Sequence, residues 1–179
     1  MQRWIALFRG INVGGNNILP MKELVSDLKA LKLENIRTYI QSGNVVFDSE
    51  QKNVKALAKT ITEQIERQRG FGPQVLIISS NELQHAINAN PFPNAVSDPK
   101  SLHFFFLENP PAKPNVKALD QAKTPTETYL LRGSVFFLHA PEGIGRSKLA
   151  TSVERHLGVA ATARNYRTVA KIAAIAVQN

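Results

Sequence analysis

Thr38-Tyr39-Ile40-Gln41-Ser42-Gly43-Asn44-Val45-Val46-Phe47 has the pattern of a tight β-hairpin. A near copy, Thr128-Tyr129-Leu130-Leu131-Arg132-Gly133-Ser134-Val135-Phe136-Phe137, stands 90 residues further along the 179-residue chain. β-branched and aromatic residues flank a glycine in both. With Ser42-Gly43 and Arg132-Gly133 as the central pairs of two-residue turns, glycine supplies the positive φ such turns need. That register opposes Ile40 to Val45 and Thr38 to Phe47. Side chains alternate along a strand, so these four share one face, and Arg37, Tyr39, Gln41, Asn44, Val46 and Asp48 share the other. In the copy, Leu130, Val135 and Phe137 line one face, and Tyr129, Leu131, Phe136 and Leu138 line the other. Both of its faces are apolar and both need cover. A repeat spanning half the chain suggests a duplicated unit rather than a solenoid.

Working outward, Trp4 to Phe8 reads as a first strand. A helix begins near Pro20, with Met21, Leu24, Leu28 and Leu31 at helical spacing. After the first hairpin, a helix over residues 53–69 carries Val54, Leu57, Ile61 and Ile65 inward and stops at Gly70. Val75 to Ile78 is a buried strand. The order β-α-β-β-α-β is that of a ferredoxin-like unit. Ser79 and Glu82 form a capping box for a short helix reaching about Asn88. Beyond a proline-rich connection, His103 to Leu107 is a strand buried on both faces by composition. A helix over 115–122, the second hairpin, a helix from the Ser147 cap to His156 and a strand over 159–163 repeat the order. Asn165 caps a last helix with Val169, Ile172 and Ile175 inward. The predicted fold is α+β: two ferredoxin-like subdomains, 1–79 and 80–179, related by internal duplication. The second opens with a linker helix and closes with a C-terminal helix. The last helix or the other subdomain is expected to cover the face of Tyr129, Leu131, Phe136 and Leu138.

A hydrophobic content of 43% is that of a globular chain, and 22 Lys+Arg against 14 Asp+Glu leave a net charge of +8. The excess favours acidic partners such as nucleic acid or phosphorylated small molecules. The absence of cysteine excludes disulfides, thiolate zinc sites and a thiol nucleophile, and fits a cytoplasmic protein. Trp4 to Phe8 is too short for a signal-peptide core, and no apolar run spans a bilayer, so no membrane association is expected.

Three basic motifs carry the candidate chemistry. In Arg9-Gly10-Ile11-Asn12-Val13-Gly14-Gly15-Asn16, glycine amides ahead of a helix suit an anion, with Arg9 as a two-pronged clamp. The loop matches neither the P-loop nor the dinucleotide fingerprint. Gly145-Arg146-Ser147-Lys148 places two cations and a hydroxyl at a helix start. Arg164, Arg167 and Lys171 are spaced to share a helix face, with Asn165 beside them and Tyr166 able to stack on a base. The anion-binding set is thus Arg9, Asn12, Gly14, Gly15, Asn16, Arg146, Ser147, Lys148, Arg164, Asn165 and Arg167, with Tyr39 and Tyr166 for stacking. His85, His103, His139 and His156 lack metal-ligand spacing, the carboxylates form no pair, and no metal or cofactor is implied. His139, Glu142 and Ser147 permit a hydrolase-like trio, though no nucleophile elbow surrounds the serine.

Taken together, the Arg9–Gly15 loop, Tyr39 to Phe47, Gly145 to Leu149 and Ala163-Arg164-Asn165-Tyr166-Arg167-Thr168-Val169 resemble the uncharacterised bacterial "domain of unknown function 1697" family. The resemblance implies a small α/β protein of two ferredoxin-like halves and no known activity. That family usually has Trp where this chain has Tyr166, which keeps a ring but loses the indole N–H. The leading expectation is binding of a phosphate-bearing ligand, whether nucleotide, sugar phosphate or nucleic acid, where the three motifs converge. The alternatives are a single-stranded nucleic-acid module using an open sheet face at Tyr39 with Trp4 or Phe8, and an enzyme acting on a phosphorylated small molecule through His139 or Ser147.

Overall fold

The structure, a computed structural model, describes residues 1–178. Its elements in order are β1 (Gln2–Arg9), α1 (Met21–Ala30), β2 (Glu34–Tyr39), β3 (Asn44–Ser49), α2 (Val54–Arg69), β4 (Gln74–Ser79), α3 (Ser80–Asn88), β5 (Leu102–Leu107), α4 (Val116–Ala122), β6 (Thr128–Arg132), β7 (Val135–His139), α5 (Lys148–Leu157), β8 (Ala161–Asn165) and α6 (Tyr166–Ala176). The fold is mixed α+β, with two four-stranded antiparallel sheets and six α-helices among the described residues. The sheets run β2-β3-β1-β4 and β6-β7-β5-β8. Two compact units result. One holds Met1–Gln84 with the segment from Lys171 onward, and the other holds His85–Ala170.

In the first unit, alternation sends Trp4, Ala6, Phe8, Val45, Phe47 and Ile77 to one sheet face, where Leu24 and Leu28 of α1 and Leu57, Ile61 and Ile65 of α2 close over them. Asn53 starts α2 by accepting the Ala56 amide, and Gly70 ends it at φ 78°. Arg69, in the last turn of α2, donates to both oxygens of Asp27 and to Glu23, which fixes the helix pair end to end. The Ser79–Glu82 capping box forms in both directions, with Glu82 accepting the Ser79 amide at 2.7 Å and Ser79 Oγ accepting the Glu82 amide at 3.1 Å.

Both hairpins have a register two residues away from the one their turn glycines suggest. In the first, Thr38 pairs with Val45 and Tyr39 with Asn44, leaving a four-residue loop, Ile40 to Gly43. Pairing starts late because the Gly43 carbonyl accepts the Phe8 amide at 2.8 Å, and Asn44 Nδ2 ties the loop shut through the Tyr39 carbonyl and Ser42 Oγ. Ile40 is left exposed at φ 51°, a conformation β-branched residues seldom adopt. In the second hairpin Arg132 pairs with Val135, so Gly133-Ser134 is the turn. A shift of two preserves side-chain parity, and the face assignments of the strand residues hold.

In the second unit the face of Phe105, Phe136 and Leu138 lies under Leu119 of α4 and Leu149, Val153 and Leu157 of α5, with Tyr129 and Leu131 packed against the same cluster. That face is therefore covered by the unit's own helices. This corrects the expectation that the last helix or the other subdomain covers it. Both faces of the second hairpin are apolar, so composition alone does not choose between them. On the opposite face Phe104 meets Phe137 edge-on at 4.7 Å, and the Tyr166 ring lies 5.8 Å from Phe104.

His103 of β5 is buried, its Nδ1 lacks a hydrogen-bond partner, and burial holds its pKa below the ordinary value against a smaller opposing effect of the Ser101 backbone. A lowered histidine pKa means the unfolded chain takes the proton first. Stability from this residue is complete above about pH 6.5 and is lost as pH falls towards the folded value. Denaturant titrations at pH 7.5 and pH 5 are expected to show a stability loss in the native chain that is smaller in His103→Leu.

Candidate functional site

The first glycine loop folds back on itself. The Asn16 amide donates to the Val13 carbonyl at 3.0 Å and the Asn12 amide to the Asn17 carbonyl at 3.1 Å. Gly14 and Gly15, at φ 58° and 77°, form the exposed tip of this small hairpin, and α1 begins only at Met21. Asn12 is committed to the loop. Its Nδ2 donates to the Leu19 carbonyl at 2.9 Å and to the Gln41 carbonyl at 2.7 Å, while its Oδ1 accepts the Leu19 amide at 2.7 Å. Through Asn12 the first loop is fastened to the hairpin loop, a link between two motifs that their spacing does not reveal. Arg9 is exposed at the end of β1 and donates to Gln74 of the neighbouring β4 at 3.4 Å. Tyr39 is half-buried at the end of β2.

An open sheet face at Tyr39 is not present. Ile5, Leu7 and Val46 on that face are buried, and Trp4 and Phe8 are buried in the core on the other. Trp4 and Phe8 give bases no platform there, because both rings are packed in the core.

The second glycine loop turns at Gly143, φ 89°, into a short 3-10 turn, Ile144–Arg146, that hands the chain to α5. Ser147 is buried, and its Oγ accepts the Ala150 amide at 3.0 Å, so it is the N-cap of α5. Arg146 and Lys148 on either side are exposed. Lys148, Thr151, Ser152 and Arg155 follow i, i+3, i+4, i+7 spacing, which puts them on one helix face. With Ala122 at the end of α4, they line an open hollow of about 370 Å³. Thr151 Oγ1 donates to the Lys148 carbonyl at 3.0 Å and Ser152 Oγ to the Leu149 carbonyl at 3.1 Å. Arg155 is absent from the sequence-predicted set. Its signal was the position two turns beyond Lys148, which becomes meaningful only once α4 is known to stand beside α5.

In the third motif Arg164 lies in β8 opposite Phe104, and it donates to the Ala163 carbonyl at 2.8 Å. Burial pushes its guanidinium down to about 10, still charged at neutral pH. Asn165 accepts the Thr168 amide at 2.9 Å and so caps α6. Tyr166 is packed on Phe104, and Arg167 is exposed. The His139, Glu142 and Ser147 trio does not assemble. The His139 ring is near Phe92 at 6.0 Å, Glu142 accepts from Thr126, and Ser147 caps its helix. Among the described residues no group of three His, Cys, Asp or Glu is placed to hold a metal ion, and no helix is long and apolar enough to cross a membrane.

The pattern of the family described as "Protein of unknown function (DUF1697)" matches residues 1–137, three quarters of the chain. The chain belongs to the DUF1697 family. The matched span contains the first glycine loop and the first hairpin of this DUF1697 protein, and it ends within β7, ahead of α5. Its fold is similar to that of the conserved bacterial protein SP0830 from Streptococcus pneumoniae, with a TM-score of 0.73, 23% identity and 98% of each chain covered. No curated protein matches this DUF1697 chain.

Proposed function

We propose that this DUF1697 protein binds a phosphate-bearing ligand at the α5 face of its second unit. The observation that carries the reading is the hollow of about 370 Å³ flanked by Lys148 and Arg155, which is within the size range of small-ligand pockets. The first turn of α5 adds the positive end of the helix dipole, and Arg146 adds a third exposed cation just ahead of it. Arg146 and Lys148 come from the sequence-predicted set. Ser147 acts as the cap that holds them in place, and Arg155 is new. Arg9, Gly14, Gly15 and Asn16 in the first unit, and Arg164 and Arg167 in the second, are further candidate anion contacts, while Asn12, Asn165 and Tyr166 serve the scaffold. The protein acts in the cytoplasm on this reading, in keeping with its lack of cysteine.

We also propose that the chain arose by duplication of a ferredoxin-like β-α-β-β-α-β unit, joined near residues 79 and 80. In support, each sheet places the second and third strands of its unit on one side of the first and the fourth on the other. The two glycine bends also fall in the same connection of each unit.

Calorimetric titration with pyrophosphate, ADP and a sugar bisphosphate tests the ligand reading. At least one is expected to bind, and Lys148→Ala/Arg155→Ala is expected to weaken it tenfold or more, since each charged contact contributes about 1.5–3 kcal/mol. The melting temperature should hardly change, because both side chains are on the surface. No binding of any probe, or binding equal in the double variant, overturns the reading.

A further inference from the structure

The phosphate reading leaves the chemistry between the two cations unassigned, and the hydroxyls decide it. Thr151 and Ser152 each have one proton to give. Thr151 Oγ1 gives its proton to the Lys148 carbonyl at 3.0 Å, with the Ser147 carbonyl also near at 3.3 Å. Ser152 Oγ gives its proton to the Leu149 carbonyl at 3.1 Å. With both protons turned into the helix, each oxygen has lone pairs left to accept with, and both residues line the hollow. They repel a phosphate oxygen and accept from a hydroxyl or amine. The hollow therefore alternates along α5: cation at Lys148, acceptors at Thr151 and Ser152, cation at Arg155. Seven residues separate the two cations, about 10.5 Å along the helix axis.

From this order we infer that the α5 hollow is a subsite for a polyhydroxylated molecule carrying a phosphate at each end, of the sugar-bisphosphate class. The inference rests on the phosphate reading above. The terminal phosphates meet Lys148 and Arg155, and the central hydroxyls donate to Thr151 and Ser152. A small dianion such as inorganic phosphate reaches one cation only. A nucleoside diphosphate concentrates its charge at one end and leaves the other cation unmatched.

Two probes with six-carbon skeletons and a phosphate at each end separate the hydroxyl contribution from the phosphate contribution. Fructose 1,6-bisphosphate carries the central hydroxyls, whereas hexane-1,6-diol bisphosphate lacks them. Fructose 1,6-bisphosphate is expected to bind the full-length protein about tenfold more tightly, for two hydrogen bonds of ordinary strength. In Thr151→Val/Ser152→Ala that advantage should disappear while the affinity for hexane-1,6-diol bisphosphate stays within twofold. The latter value also reports that the variant is folded and its cations are in place. Equal affinity of the native protein for both probes, lost in Lys148→Ala/Arg155→Ala, overturns the polyol assignment and leaves the phosphate reading standing. Failure of both probes, of pyrophosphate and of ADP to bind overturns the assignment together with the reading beneath it.

Discussion

Gly43→Ala is expected to destabilise the protein by about 3 kcal/mol, combining the cost of a left-handed alanine with that of overpacking a filled core. Gly43 sits at φ 71°, and a Cβ there would come within 2.5 Å of Phe8 Cβ and 2.6 Å of Ile11 Cδ1. Neither neighbour can give way easily. Phe8 is a fully buried strand residue whose amide is bonded to the Gly43 carbonyl, and Ile11 is buried beneath the glycine loop. For a chain of this length the expected fall in melting temperature is roughly 10 °C. Gly133→Ala is the internal control. Gly133 also has a positive φ, 55°, but an added Cβ meets nothing within 4 Å. Its expected cost is only about 1–2 kcal/mol for the backbone conformation. Equal costs for the two substitutions would show that the contact with Phe8 and Ile11 does not govern the Gly43 site.

Arg3→Ala is the second large effect, at about 2–3 kcal/mol, somewhat below the cost of breaking a fully buried ion pair. Arg3 grips both oxygens of Asp48 at 2.9 and 3.0 Å, and its other nitrogen donates to the carbonyls of Ala176 and Gln178. The side chains are 23% and 11% exposed, which places the pair at the margin of the interior. Removing Arg3 leaves Asp48 supported by the Asn35 amide at 2.8 Å and releases the end of α6. The pH dependence provides an independent check. The Arg3 hydrogen bond, helped by Asn35, holds the Asp48 carboxyl below its ordinary value against the opposing effect of burial. A depressed carboxylate pKa contributes stability above the unfolded value, about 3.9, and that contribution is lost as pH falls through the folded value. The stability gap between the native chain and Arg3→Ala should therefore be full at pH 7 and close below about pH 4. A gap independent of pH would assign the effect to the α6 carbonyl contacts instead.

Local chemistry was legible in the sequence. Ser147 and Asn165 accept the amide three residues on, as their positions ahead of apolar helical stretches suggested, and Asn53 and Asn115 do the same at the starts of α2 and α4. Gly70 and Gly158 end their helices in the left-handed conformation. The hairpin registers were not legible, because Gly43 is positioned by Phe8 and Ile11, more than thirty residues away, and not by the turn it resembles. The choice of covered face in the second unit was hidden for a related reason. A strand apolar on both sides carries no mark of which side its helices take. At the candidate site, Arg146, Ser147 and Lys148 stood out through their glycine neighbours. Arg155 looked like an ordinary surface cation until Ala122 of α4 supplied the opposite wall.

The central claim, a phosphate-bearing ligand on the α5 face, is tested most directly by backbone amide NMR shifts of the full-length protein titrated in turn with fructose 1,6-bisphosphate, pyrophosphate and ADP. Saturable shifts concentrated on Arg146 to Arg155 and on Ala122 are the predicted result. Shifts confined to Gly10 to Asn17, or no saturable shift in any part of the chain, would contradict it.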